Sequence, residues 1–143
     1  MRVFCKNARL KGDCRLAEIL AEVADFSWDC ICFSETRATD GDVLLEGGHR
    51  LLSSLSDQRF AGVAVLVHSR WVDRVIDYRM VSGRLMHCDI QIGTEVYRFF
   101  AVLFPHAGYP HGEFLQCLDE LRAEAIQAQK MKYKCIFGWR FQH

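Results

Sequence analysis

Three short apolar runs, each ending on a polar side chain, constrain the fold of this chain more than any other feature. Residues 2–7 read R-V-F-C-K-N, residues 29–37 read D-C-I-C-F-S-E-T-R, and residues 134–143 read K-C-I-F-G-W-R-F-Q-H. The middle run is apolar at consecutive rather than alternate positions, the pattern of a strand covered on both faces. Between the first two runs, Leu16, Ile19, Leu20 and Val23 recur at helical spacing, and Asp13 stands where an N-cap belongs. A strand–helix–strand passage of this kind favours a parallel pair. Ligands of open α/β sheets gather at the carboxyl ends of the strands. Asn7, Glu35 and the Arg140/Gln142 tip are therefore expected to share one polar rim. Asn7 and Glu35 suit a hard cation, whereas Arg140 stands where such a site would take another carboxylate.

The rest of the chain reads as more sheet and one more helix. The Gly47-Gly48 turn predicts a hairpin within residues 41–54, and Gly93-Thr94 predicts a second between residues 84–92 and 95–104. Residues 61–68 have the composition of a central strand, and residues 73–78 that of an edge strand. Pro105 ends the strand before it, because proline cannot donate to the ladder. Residues 113–129 form a helix with Phe114, Cys117, Leu118, Leu121 and Ala125 on one face and a solvated face of Glu113, Glu120, Arg122 and Glu124. Residues 133–137 form the last strand, which stops at Gly138. The fold class is α/β: a mixed sheet with flanking helices.

Composition narrows the function. The 143 residues fit one domain, half are hydrophobic, and Lys+Arg and Asp+Glu are both 18. A zero formal charge removes any global attraction to nucleic acid, though not a local patch. No signal peptide is read at the N-terminus, and no apolar run reaches the roughly 18 residues that would span a bilayer. Seven cysteines is an odd count without framework spacing. Cys5, Cys30, Cys32, Cys88 and Cys135 read as reduced core thiols of an intracellular protein. His106 and His111 flank a loop without zinc spacing, Arg37 is a candidate phosphate contact, and His68 reads as structural.

In order along the chain stand K-N-A-R at residues 6–9, F-S-E-T-R at 33–37, G-V-A-V-L-V at 62–67, V-L-F-P-H-A-G-Y at 102–109 and F-G-W-R-F-Q at 137–142. This series resembles the endonuclease/exonuclease/phosphatase superfamily, and is most similar to the endonuclease domains of non-LTR retrotransposons. The resemblance covers nearly the whole chain. It implies a two-sheet, four-layer α/β sandwich of the deoxyribonuclease-I-like type. It also implies a lineage activity, the Mg²⁺- or Mn²⁺-dependent hydrolysis of DNA phosphodiesters, in the nucleus or cytoplasm.

By that resemblance, Asn7 matches the asparagine near the metal and Glu35 the metal-binding glutamate; Arg37, just after Glu35, and His106, at the site end of a strand, are candidate phosphate contacts by position. Three positions depart from the pattern. Leu103 stands in place of a tyrosine, Arg140 in place of the aspartate that handles the attacking water, and Gln142 in place of the phosphate-holding asparagine. Arginine is no general base at neutral pH. The family's later aspartate and S-D-H histidine have no counterpart. The expectation is therefore a single, C-terminally incomplete domain over residues 1–143, catalytically impaired. An open sheet face is expected on residues 61–67 and 99–104, inviting self-association. The alternatives are a non-catalytic nucleic-acid-binding or interaction remnant, and a phosphatase-type member.

Overall fold

The computed structural model describes residues 2–7, 13–34, 41–54, 62–106, 108 and 110–141, with the side chains of Lys6, Asn7 and residues 13–15 outside that description. Among the described residues the strands form two sheets. The first runs in the order β1 (Val3–Asn7), β2 (Cys30–Ser34), β5 (Val63–Val67), β4 (Arg50–Ser53), β3 (Gly41–Leu44). The second runs β6 (Val75–Ser82), β7 (Leu85–Ile92), β8 (Glu95–Phe104), β9 (Lys134–Phe141). Two helices, α1 (Asp13–Val23) and α2 (His111–Lys130), cover the outer faces.

Alternation along the strands sets the layers. Cys30, Cys32, Val63, Val65 and Val67 of the first sheet meet Met86, Cys88, Ile90, Phe99, Ala101 and Leu103 of the second in one buried core. The opposite faces pack on the helices. Ile19 and Val23 of α1 bury against Ile31, Phe33, Ala64 and Leu66. Cys117 of α2 buries against Leu85, Phe100 and Val102. Each fully buried large side chain contributes about 1.5–3 kcal/mol over exposure.

β1 and β2 pair in parallel, as the βαβ reading requires, and both hairpins form at the expected glycine turns. Gly47 and Gly48 have φ of +95° and +91°, a region that L side chains rarely adopt. β5 lies inside its sheet, β6 lies at an edge, and β8 stops at Phe104 before Pro105.

Several expectations need correction. The last strand does not stop at Gly138 but continues to Phe141 as the parallel neighbour of β8. Glu124 is not on a solvated face; it is buried beneath α2. Cys5 is exposed rather than core. β5 and the Phe99–Leu103 stretch of β8 are buried on both faces, so neither presents an open sheet face. The exposed apolar surface lies instead on the outer face of β9, at Phe137, Trp139 and Phe141. No helix among the described residues is long and apolar enough to cross a membrane.

Candidate functional site

The two parallel pairings bring four strand ends to one rim. Asn7 at the end of β1 is the register partner of Ser34 at the end of β2. Phe104 at the end of β8 is the register partner of Phe141 at the end of β9. The sheets stack with these ends pointing the same way. A narrow cleft between them is lined by Cys5, Cys32 and Ser34 from one sheet and by Val102, Gly138 and Arg140 from the other. Parallel pairing alone would not suffice; the shared direction of the two parallel pairs makes the rim.

Two of the three positions that depart from the pattern of the resemblance, Leu103 and Arg140, meet here. Leu103 and Arg140 are register partners on β8 and β9. Leu103 is fully buried, its side chain turned into the inter-sheet core. Arg140 shares the inward face of β9 with Ile136 and Gly138, so it is aimed at the first sheet and not at solvent beyond β9. Glu35 follows Ser34 directly in the chain, but Glu35, Arg37 and Gln142 lie outside the described residues, as does the side chain of Asn7. His106 stands two residues beyond β8; its Nδ1 accepts the Gly108 N–H at 2.8 Å, and a Cβ on Gly108 would come within 2.5 Å of the ring. The imidazole therefore closes its own turn.

No group of three or more His, Cys, Asp or Glu among the described residues could hold a metal ion. At this rim the described residues offer two thiols, the Ser34 hydroxyl, aliphatic side chains and a guanidinium, and no carboxylate for a magnesium or manganese ion that takes oxygen ligands.

The rim has a chemical feature that sequence reading missed. Cys5 and Cys32 are register partners on β1 and β2, and both sulfurs lie within 3.2 Å of where a Cβ on Gly138 would stand. The neighbouring Cys32 thiol, opposed by burial and assisted by the Trp139 backbone and the charge of Arg140, brings the Cys5 thiol down to about 7. Burial pushes the other core thiols the opposite way, Cys88 to about 12 and Cys117 to about 11. The missed signal was the spacing of two apolar strands whose cysteines fall at the same register.

At the other end of β2, Asp29 ties the sandwich together. Its carboxylate accepts Arg70 Nη2 and Trp71 Nε1, each at 2.7 Å, and the backbone N–H of Arg2. Burial raises its pKa, but these hydrogen bonds outweigh that effect and hold it below the ordinary carboxylate value. His68 caps the short 3-10 helix Ser69–Arg74, accepting the Arg70 N–H at 3.2 Å, and so is structural as expected.

The sandwich is the deoxyribonuclease-I-like fold, shared by several solved nucleases. The chain is similar to the endonuclease domain of TRAS1, a telomere-specific non-LTR retrotransposon, with a TM-score of 0.63 and 16% identity over 96% of this chain and 57% of that one. It is similar to the AP endonuclease LMAP from Leishmania major, with a TM-score of 0.69 and 11% identity over 96% of this chain and 53% of that one. It is also similar to a humanized D. rerio TDP2, with a TM-score of 0.55 and 11% identity over 96% of this chain and 64% of that one. The chain thus spans little more than half the length of these structures. No family model and no curated protein matches it.

Proposed function

We propose that this chain is an endonuclease-type domain of retrotransposon origin. Its ancestral site for hydrolysing DNA phosphodiesters lies at the β1, β2, β8 and β9 rim and is catalytically impaired. The observation that carries this reading is the Leu103–Arg140 register pair. At the rim where the nuclease lineage needs a hydrogen-bond donor and a carboxylate, one position is sealed in the core and the other carries a fixed positive charge. In this reading Glu35 and Asn7 are the remnants of the site for Mg²⁺ or Mn²⁺, and Arg37 and His106 those of the phosphate contacts. Gln142 stands where an asparagine would hold phosphate. A bound metal would polarise the phosphodiester; Arg140 supplies no base for the attacking water.

In the same reading the domain acts inside the cell, in the nucleus or cytoplasm, with DNA as its lineage partner. A second reading, a non-catalytic interaction module, is favoured by the exposed aromatic outer face of β9. The experiment is a nicking assay on supercoiled plasmid with Mg²⁺ or Mn²⁺. No nicking above a protein-free control is expected. Reproducible nicking that disappears in Glu35→Ala would overturn the impaired reading while supporting the lineage.

A further inference from the structure

We propose that Cys5 and Cys32 form a peroxide-reactive thiol pair that closes as a disulfide between β1 and β2. The inference is independent of the nuclease reading, because it rests on the pairing of these two strands and on what lies over them.

Register comes first. Cys5 and Cys32 are Cα partners in a parallel ladder, so their side chains leave the sheet on the same face. Neighbouring strands lie about 4.8 Å apart, inside the roughly 4.4–6.8 Å Cα separation that a disulfide spans. Both sulfurs also lie against one point of the facing strand, within 3.2 Å of where a Cβ on Gly138 would stand, so the pair is already side by side.

Access comes next, and it differs between the two. Cys5 is exposed on an edge strand, while Cys32 is only 5% exposed in the inter-sheet core, its thiol also directed at the Phe100 carbonyl at 3.9 Å. This is the division that a two-step oxidation needs: one cysteine at an open sheet edge and a second sheltered beside it. Cys30 and Cys88 provide the contrast. They lie in the same core cluster, but both are 0% exposed, and no oxidant reaches either.

The facing sheet leaves room for the pair. A Cβ placed on Gly138 would lie 2.5 Å from the Cys32 sulfur and 3.2 Å from the Cys5 sulfur. Both sulfurs therefore sit against the one residue of β9 that has no side chain, and any other residue there would drive them apart.

The chemistry balances with a hydroperoxide as the oxidant. The Cys5 sulfur, having lost its proton, attacks the outer peroxide oxygen. The O–O bond breaks, the inner oxygen leaves as an alcohol or water after taking up a proton, and Cys5 carries a sulfenic acid. The Cys32 sulfur then attacks the Cys5 sulfur. An S–S bond forms, the S–O bond breaks, and the hydroxyl leaves as water with the Cys32 proton. Two thiols give up two electrons and two protons to one hydroperoxide. A bridge whose geometry is dictated by strand spacing is one that small thiols reduce readily.

The test uses the full chain, reduced and then freed of reductant, treated with one equivalent of hydrogen peroxide and analysed by intact mass and non-reducing peptide mapping. The expected product has lost two hydrogens, contains one intrachain Cys5–Cys32 link, and returns to the thiols with dithiothreitol. In Cys32→Ser the reaction should stop at a Cys5 sulfenic acid, trapped by dimedone. In Cys5→Ser the fast-reacting thiol should disappear. If the first link joins two chains or uses any other cysteine, the proposal is wrong. Should Cys32→Ser fail to fold, mapping of the unsubstituted chain decides alone.

Discussion

Beneath α2, four ionisable side chains share one buried site on the outer face of the second sheet. Arg98 donates to Asp89 through Nε at 2.8 Å and Nη2 at 2.9 Å, and to the Glu124 carbonyl through Nη1 at 3.1 Å. His87 Nε2 stands 3.2 Å from Glu124 Oε2, and Arg79 pairs with the other oxygen at 3.0 Å. Removing one member would leave a buried charge without its partner, a change that typically costs about 3–5 kcal/mol. Burial first, and then the charge of Arg98, push the His87 pKa below its ordinary 6.5; burial likewise lowers His49 and His68. The unfolded chain therefore takes up these protons at a higher pH than the folded one. Below 6.5 the unfolded state binds more protons, so stability falls as pH drops through that window. Urea denaturation at several pH values between 7.5 and 5 should show a declining midpoint, with a shallower decline in His87→Asn. A midpoint that rises on acidification across this window would contradict the burial argument. The carboxylates Asp29 and Asp42, held below their ordinary 3.8, keep their contribution until the pH falls lower still. Sequence reading missed this site, although the signal for it was present. In β7, His87 and Asp89 alternate with Met86, Cys88 and Ile90, and a polar side chain repeated at every second position of a buried strand signals a buried partner. Glu124 was read as solvated because the helical spacing of α2 shows which residues share a face, not which face meets a polar sheet.

The strands most easily read from sequence were those with apolar residues at every position and a glycine turn to fix their ends. β2, β5 and the two hairpins formed where the residues placed them. β9 was the least legible. Gly138 reads as a stop because glycine weakens a strand interior, yet the strand passes through it. The reason is tertiary: Gly138 is where β9 crosses the Cys5–Cys32 pair, and the space is too small for a methyl group. Strand propensity lost to close approach, which no local pattern reports. Gly138→Ala would press a carbon against the buried Cys32 sulfur, which cannot swing to solvent as the exposed Cys5 can. Overpacking of this kind costs about 1–3 kcal/mol. The expected outcome is a lower urea midpoint with an unchanged slope. A midpoint equal to that of the parent chain would mean that β9 stands further from the first sheet than described. The rim on which these strands end was legible, because strand ends can be read from sequence. It was not legible in its chemistry, because the facing of Arg140 depends on the register of β9 against β8.

At the scale of the whole molecule, the two sheets end on the same side, with β1 and β9 as their outer strands. Outside β9 the sandwich presents aromatic rings that α2 covers only in part. Phe137, Trp139 and Phe141 are 46%, 53% and 50% exposed, and Leu118 of α2 adds 37%. The rings already cluster: Trp139 and Phe141 meet at 5.5 Å between centroids, and Phe104 reaches both, at 6.2 Å and 5.6 Å. Large apolar side chains left half in water forgo part of the roughly 1.5–3 kcal/mol that full burial of each would contribute. A contiguous patch of this kind is unusual on a monomer's surface. Sequence reading anticipated an open face but assigned it to β5 and β8; the strands that are apolar in both directions are the ones the sandwich covers best. The expected behaviour of the chain in solution is therefore association through the β9 and α2 face. Size-exclusion chromatography with light scattering should give a dimer or larger species. The double variant Trp139→Lys, Phe141→Lys should shift it to the monomer with little loss of stability, since both side chains already stand half in solvent. A parent chain that is monomeric, melts sharply and binds no dye for exposed apolar surface would show that this face is tolerated in water and needs no partner.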